Sequence, residues 1–187
     1  MKKKILAADF GTSYGKMAYM DADGSILFPT FPARFSGGIP MLFMYDRNGN
    51  EWIGEQVDDR NGRLEDPAAV CESIKMNLLK KDSIFLNEKA FTPNYIVFAE
   101  AKHQLEVARQ CYARSFVDLD YDMLVVPVPV CYTAAEKAIM KTEHQNAYHT
   151  SHLNTRLVDE AVADALAYIF LRGKNIDPNL AFFVIDI

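Results

Sequence analysis

Two strands joined by a polar, glycine-bearing turn open the chain, and this opening restricts everything after it. Ile5 to Phe10 is an apolar run that ends in Asp9-Phe10-Gly11-Thr12-Ser13-Tyr14-Gly15-Lys16. A buried strand entering a tight turn is predicted, because the apolar pattern stops where glycine and hydroxyl residues begin. The strand pattern resumes at Lys16 to Met20, turns at Asp21, Asp23 and Gly24, and returns at Ser25 to Phe28. Two consecutive hairpins make an antiparallel meander. The first turn has the makings of an anion site. Gly11 permits close backbone approach, successive N–H groups form a nest, and Thr12 and Ser13 add hydroxyl donors. Asp9, at the strand end, offers hard oxygens to waters around Mg²⁺. The chain returns as a strand rather than opening into a helix, so this is not a Walker-type loop.

Farther on, Pro29 to Pro40 is a connecting loop, and Met41 to Tyr45 with Glu51 to Ile53 flank the hairpin signal Asp46-Arg47-Asn48-Gly49-Asn50. Asp66 to Lys81 is predicted helical, with Asp66 as cap and Pro67 in the first position. Thr92-Pro93 starts a long helix whose apolar stripe includes Ile96, Ala99, His103, Val107, Cys111 and Phe116. Met123 to Val130 is a continuous apolar strand that Pro127 and Pro129 are expected to end. Thr133 and Glu136 form a capping box for a helix to about His149. Leu153 to Val158 is a strand, Asp159 caps an alanine-rich helix to about Leu171, and Ala181 to Ile187 is a last strand. Helices alternating with strands in the second half predict an α/β sheet with right-handed crossovers.

With 187 residues, half of them apolar, the chain has the material for one domain and its core. A formal net charge of −5 argues against a general nucleic-acid binder. The apolar run after Lys2 to Lys4 is too short for a signal-peptide core, and no segment approaches a membrane span. Cys71, Cys111 and Cys131 form no paired framework, so a reducing cytoplasm is the expected location.

Taken together, these segments resemble one family. The hairpin at 9–16 is similar to the first phosphate loop of the actin, hexokinase and heat-shock chaperone superfamily. Thr12-Ser13-Tyr14 looks most like the seventy-kilodalton heat-shock chaperones. Trp52-Ile53-Gly54-Glu55, Phe91-Thr92-Pro93, VPVPVCYTAAEK at 126–137, DEAVADALAY at 159–168 and FVIDI at 183–187 follow in that family's order. The resemblance implies a ribonuclease-H-like (actin-like ATPase) α/β fold, a mixed five-stranded sheet with helices on both faces. It also implies that residues 1–187 are the first lobe of a Mg-ATP-dependent, chaperone-like ATPase. By resemblance, Gly11, Thr12, Ser13 and Tyr14 bind nucleotide phosphate. Asp9, Glu160 and Asp186 hold Mg²⁺ through water. Lys75, Glu160 and Asp186 are the catalytic set, with Lys80 or Lys81 as alternatives to Lys75. Phosphoryl transfer is mostly positioning and charge neutralisation, which such a set supplies.

Only Ile187 follows Asp186, so a second lobe completing the site is expected outside these residues, and this segment alone is expected to bind phosphate or nucleotide weakly at most and to hydrolyse ATP poorly. Client polypeptides or co-chaperones would engage through further domains. A filament-forming or plasmid-segregation ATPase, or a small-molecule kinase, keeps the same fold; a non-catalytic pseudo-ATPase scaffold is the alternative of another class. Asp164, four residues after Glu160, is read as a solvated helix charge, with a metal-binding reach toward the nucleotide side and an effect on helix packing against a second lobe as the alternatives. His144, His149 and His152 are read as a polar helix end rather than a metal site, and the cysteines as core filler.

Overall fold

Ile5–Phe10 forms strand β1 in the computed structural model, which describes residues 3–29, 38–60, 65–78, 82–114, 117, 119–151 and 154–172. The next strands are β2 (Tyr14–Met20), β3 (Ile26–Leu27), β4 (Ile39–Pro40), β5 (Leu42–Tyr45) and β6 (Glu51–Ile53). A single-turn helix α1 (Glu55–Asp58) leads to a 3₁₀ turn at Pro67–Ala69, strand β7 (Val70–Glu72) and the short helix α2 (Ile74–Asn77). The hairpin β8 (Ile84–Leu86) and β9 (Lys89–Phe91) precedes the long helix α3 (Pro93–Arg114). Strand β10 (Met123–Val128), helix α4 (Ala134–Tyr148), strand β11 (Thr155–Asp159) and helix α5 (Glu160–Arg172) follow.

The main sheet has the order β11-β10-β1-β2-β3, with two-residue β4 pairing to β2. β1 is antiparallel to β2 and parallel to β10, and β10 is parallel to β11. An antiparallel meander continued by parallel strands that helices connect is the ribonuclease-H-like arrangement expected from the sequence, enlarged here to six strands. β5, β6 and β7 form a separate small sheet. No helix among the described residues is long and apolar enough to cross a membrane.

Cross-strand pairs put Leu6, Ala8 and Phe10 on the same sheet face as Tyr19, Met17 and Gly15. That face is buried and carries α3 and α4: Tyr19 meets Tyr112 edge-on at 6.0 Å, and Phe10 meets His144 at 5.3 Å. Burying such residues supplies the main driving force for this layer.

Several local expectations hold. Gly24 takes a positive φ in the second hairpin, and Thr92 Oγ1 accepts from the Tyr95 N–H at 3.3 Å at the start of α3. The capping box of α4 is complete: Thr133 Oγ1 accepts from Glu136 N–H at 3.3 Å, and Glu136 Oε2 accepts from Thr133 N–H at 2.7 Å. Thr133→Ala is therefore expected to cost about 1 kcal/mol, read as a lower urea midpoint with unchanged slope. An unchanged midpoint would remove the cap from the account.

Other expectations are corrected. Residues 66–81 do not form one helix. Val70-Cys71-Glu72 is drawn out as the antiparallel partner of β5, through Met44↔Val70, Phe43↔Cys71 and Leu42↔Glu72, and among the described residues of this span Ile74–Asn77 is the α-helical part. Asp66 makes no side-chain cap; Arg47 pairs with it instead at 3.3 Å. Pro127 lies inside β10 rather than ending it. The ladder to β1 stops at Val125, so no donor is required from residue 127 on that side. Strand β11 abuts α5 without a capping loop, and the Asp159 carboxylate accepts from Lys137 Nζ at 2.8 Å. Phe116 and the strand expected at 181–187 lie outside the described residues.

Candidate phosphate and magnesium site

The turn between β1 and β2 is as tight as its sequence requires. A Cβ on Gly11 would lie 2.2 Å from the backbone oxygen of Tyr14, so a larger residue would force the turn open. Thr12, Ser13 and Tyr14 are exposed. The Ser13 carbonyl accepts from the Met41 N–H at 3.0 Å, which ties the turn to the strand leading into the small sheet. Across a cleft of about 50 Å³, Thr12, Ser13 and Tyr14 face Glu72 and Ser73. The small sheet thus delivers the segment before Lys75 to the hairpin.

Ser73 adopts a left-handed backbone, with φ of 55°, where β7 turns into α2. Non-glycine residues rarely sit there, and the bend is held by its surroundings. Tyr132, in the turn after β10, donates from its hydroxyl to the Lys75 carbonyl at 2.5 Å. Burial, with smaller contributions from Glu136 and Glu160, pushes the Tyr132 phenol well above its ordinary value, so it stays a donor.

Lys75 is buried, and its Nζ forms an ion pair with the Glu160 carboxylate in the first turn of α5. These residues are 85 positions apart in sequence. The helix dipole favours an anion at Glu160, and the lysine neutralises it at short range. The C-terminal ends of β1, β10 and β11 lie along one sheet edge, where parallel α/β sheets hold their ligands. Asp9 and Glu160 both lie on this edge, with two strand spacings, roughly 10 Å, between β1 and β11.

The structure therefore brings Asp9, the Gly11–Tyr14 turn, Lys75 and Glu160 to one end of the sheet. Asp186, Lys80 and Lys81 lie outside the described residues. Asp164 is exposed on α5. Among the described residues no three His, Cys, Asp or Glu side chains converge to ligate a bare metal ion.

His144 departs from expectation: it is fully buried against Phe10, not part of a polar helix end. His149 ends α4 with a left-handed φ of 54°, and His152 is outside the described residues. Cys71 and Cys111 are buried as expected, but Cys131 is exposed. Sequence reasoning missed Tyr132, Ser73 and Gln104. For Gln104 a signal existed: Ile96, Glu100, Gln104 and Ala108 recur every fourth residue, so a polar side chain stands in the buried stripe of α3.

No family model matches the chain. Among solved structures, a non-polymerising mutant of MamK bound to AMPPNP is similar over 85% of this chain, at 15% identity and a TM-score of 0.47. The match spans 41% of that MamK chain, so this chain corresponds to less than half of it.

Proposed function

We propose that this chain is a phosphate-binding lobe of a Mg-ATP-dependent ATPase of the actin-like superfamily. The observation that carries the proposal is the Lys75–Glu160 ion pair at the end of the sheet that also carries the Gly11–Tyr14 turn. A lysine and a glutamate 85 residues apart meet at the end of a parallel sheet. A phosphate site there would use the cation. Backbone N–H groups at 11–14 and the hydroxyls of Thr12 and Ser13 would receive the phosphates. Asp9, Glu160 and Asp186 would hold the waters of Mg²⁺, and Lys75 would offset charge on the transferring group.

Two forms of the proposal differ in what the nucleotide drives. The heat-shock-chaperone form rests on Thr12-Ser13-Tyr14 and the ordered segments after it, with clients and co-chaperones engaged through further domains. The filament-forming form keeps the same fold and the same site. Nucleotide-dependent pelleting on ultracentrifugation supports it, and nucleotide-dependent release of an unfolded polypeptide supports the chaperone form.

The shared core is tested by titrating the chain with Mg-ATP and following backbone amide resonances. Shifts are expected at 11–14 and 73–75, and are expected to weaken in Asp9→Asn. Resonances that stay fixed at millimolar nucleotide would exclude the site. In a protein carrying both lobes, Lys75→Ala is expected to lower turnover about 100-fold or more.

A further inference from the structure

We propose that Gln104 is a positioning residue for the phosphate turn, holding the base of the hairpin that presents residues 11–14. This inference rests on the function proposed above.

Gln104 is fully buried on α3. Its Nε2 donates to the Asp9 carbonyl at 2.9 Å and to the Lys16 carbonyl at 3.2 Å. Those residues are directly opposite each other in the β1–β2 ladder, one step below Phe10↔Gly15 and the turn. One carboxamide therefore bridges both strands where they enter the turn. Its orientation is fixed from the other end: the Tyr148 hydroxyl donates to Gln104 Oε1 at 3.1 Å. The amide cannot flip without facing two carbonyls with its oxygen. Tyr148 is itself buried and stacked on His144 at 5.9 Å, so the whole chain of contacts is enclosed.

Gly15 completes the arrangement. A Cβ there would lie 2.6 Å from Gln104 Nε2 and 2.8 Å from Met41 Sδ. No positive φ requires glycine at this position; the space does. Gly11 keeps the turn tight, and Gly15 makes room for the clamp beneath it. A buried amide meeting backbone acceptors on two strands is costly to lose, because the carbonyls are then left without that donor. Asp9 is one of the clamped residues, so the clamp sets the position of the proposed magnesium carboxylate as well as the turn.

The test measures amide protection factors at 10–16 and Mg-ATP affinity on the same samples. The variants are Gln104→Met, which keeps length and removes the donors, and the milder Tyr148→Phe. Protection in the hairpin is expected to fall at least tenfold in Gln104→Met and less in Tyr148→Phe, with α3 and α4 protection retained. Mg-ATP affinity is expected to fall in parallel. Gln104→Glu supplies a readout that a loss of packing would not give. Its carboxylate has no donor, but its protonated form offers one O–H. Protection and affinity should recover as pH is lowered, whereas Gln104→Met should show no such recovery. Unchanged hairpin protection in Gln104→Met and Tyr148→Phe would overturn the proposal. So would lost protection with unchanged affinity, which leaves the phosphate site standing without the clamp. Failure of the wild-type chain to bind Mg-ATP, with hairpin protection still dependent on Gln104, would instead overturn the function and with it the positioning role.

Discussion

Replacing Lys75 with Met is expected to destabilise the fold by about 3–5 kcal/mol at neutral pH, and Glu160→Gln by a smaller amount. Lys75 and Glu160 have 6% and 13% of their side-chain surface exposed, so both charges are largely out of water. Their attraction offsets a desolvation cost of several kcal/mol per ion. Removing the lysine alone takes the cation of this ion pair away from a carboxylate that is largely out of water. Replacing both with Met and Gln removes the charges together, so the double variant is expected to recover much of the loss. Denaturant midpoints of the wild type, both single variants and the double variant give the coupling directly. Additive losses would mean that the two residues do not interact, and the argument for a cation held beside the turn would fail. Tyr132→Phe provides a control at the same place. It deletes the donor to the Lys75 carbonyl but leaves the ion pair, and its effect should be near 1 kcal/mol.

The parts of this architecture legible in the sequence are those specified locally. The hairpin at 9–16 announces itself by an apolar run that stops at Gly11, and the α4 cap by Thr133 and Glu136. The parallel half of the sheet follows from strand and helix alternation. What sequence reasoning could not see is set by partners distant in the chain. Val70-Cys71-Glu72 follows a good helix start at Asp66-Pro67, but β5 needs an antiparallel neighbour, and tertiary pairing overrides local preference. Grouping with His149 and His152 marks His144 as polar, yet its position on α4 turns it toward Phe10. The site itself was half legible. Family resemblance singled out Lys75 and Glu160, and the structure pairs them. Tyr132 and Ser73 act through a backbone carbonyl or through the bend of the chain, which leave no residue pattern to find; Gln104 shows only as a polar residue in the buried stripe of α3.

Two buried groups are expected to give the stability a pH dependence in which they oppose each other. His144 Nδ1 bonds the Met140 carbonyl at 2.8 Å, and its Nε2 has no partner among the described residues. Burial lowers its pKa from 6.5 to about 4, with the Met140 bond opposing. The folded chain therefore holds His144 neutral where the unfolded chain would protonate it. Its contribution is full above pH 6.5 and is lost as pH falls toward 4. At about 1.36 kcal/mol per pH unit, that loss is roughly 3 kcal/mol. Glu100 has the opposite sign. Both its oxygens are buried with no partner among the described residues, and burial pushes its pKa well above 4.5. The folded chain keeps its proton, so its contribution is full below pH 4.5 and declines as pH rises above that. Above pH 4.5, where the unfolded chain ionises Glu100 and still protonates His144, the two slopes oppose each other in the wild type. Each variant should unmask the other group. Measured across this range, His144→Leu should become less stable as pH rises, and Glu100→Gln should become less stable as pH falls. Glu100→Gln should also raise stability at neutral pH, because it removes an acid that the fold holds away from water. Parallel profiles for the wild type and both variants would mean that neither group titrates differently in the folded and unfolded chains, and would contradict their burial.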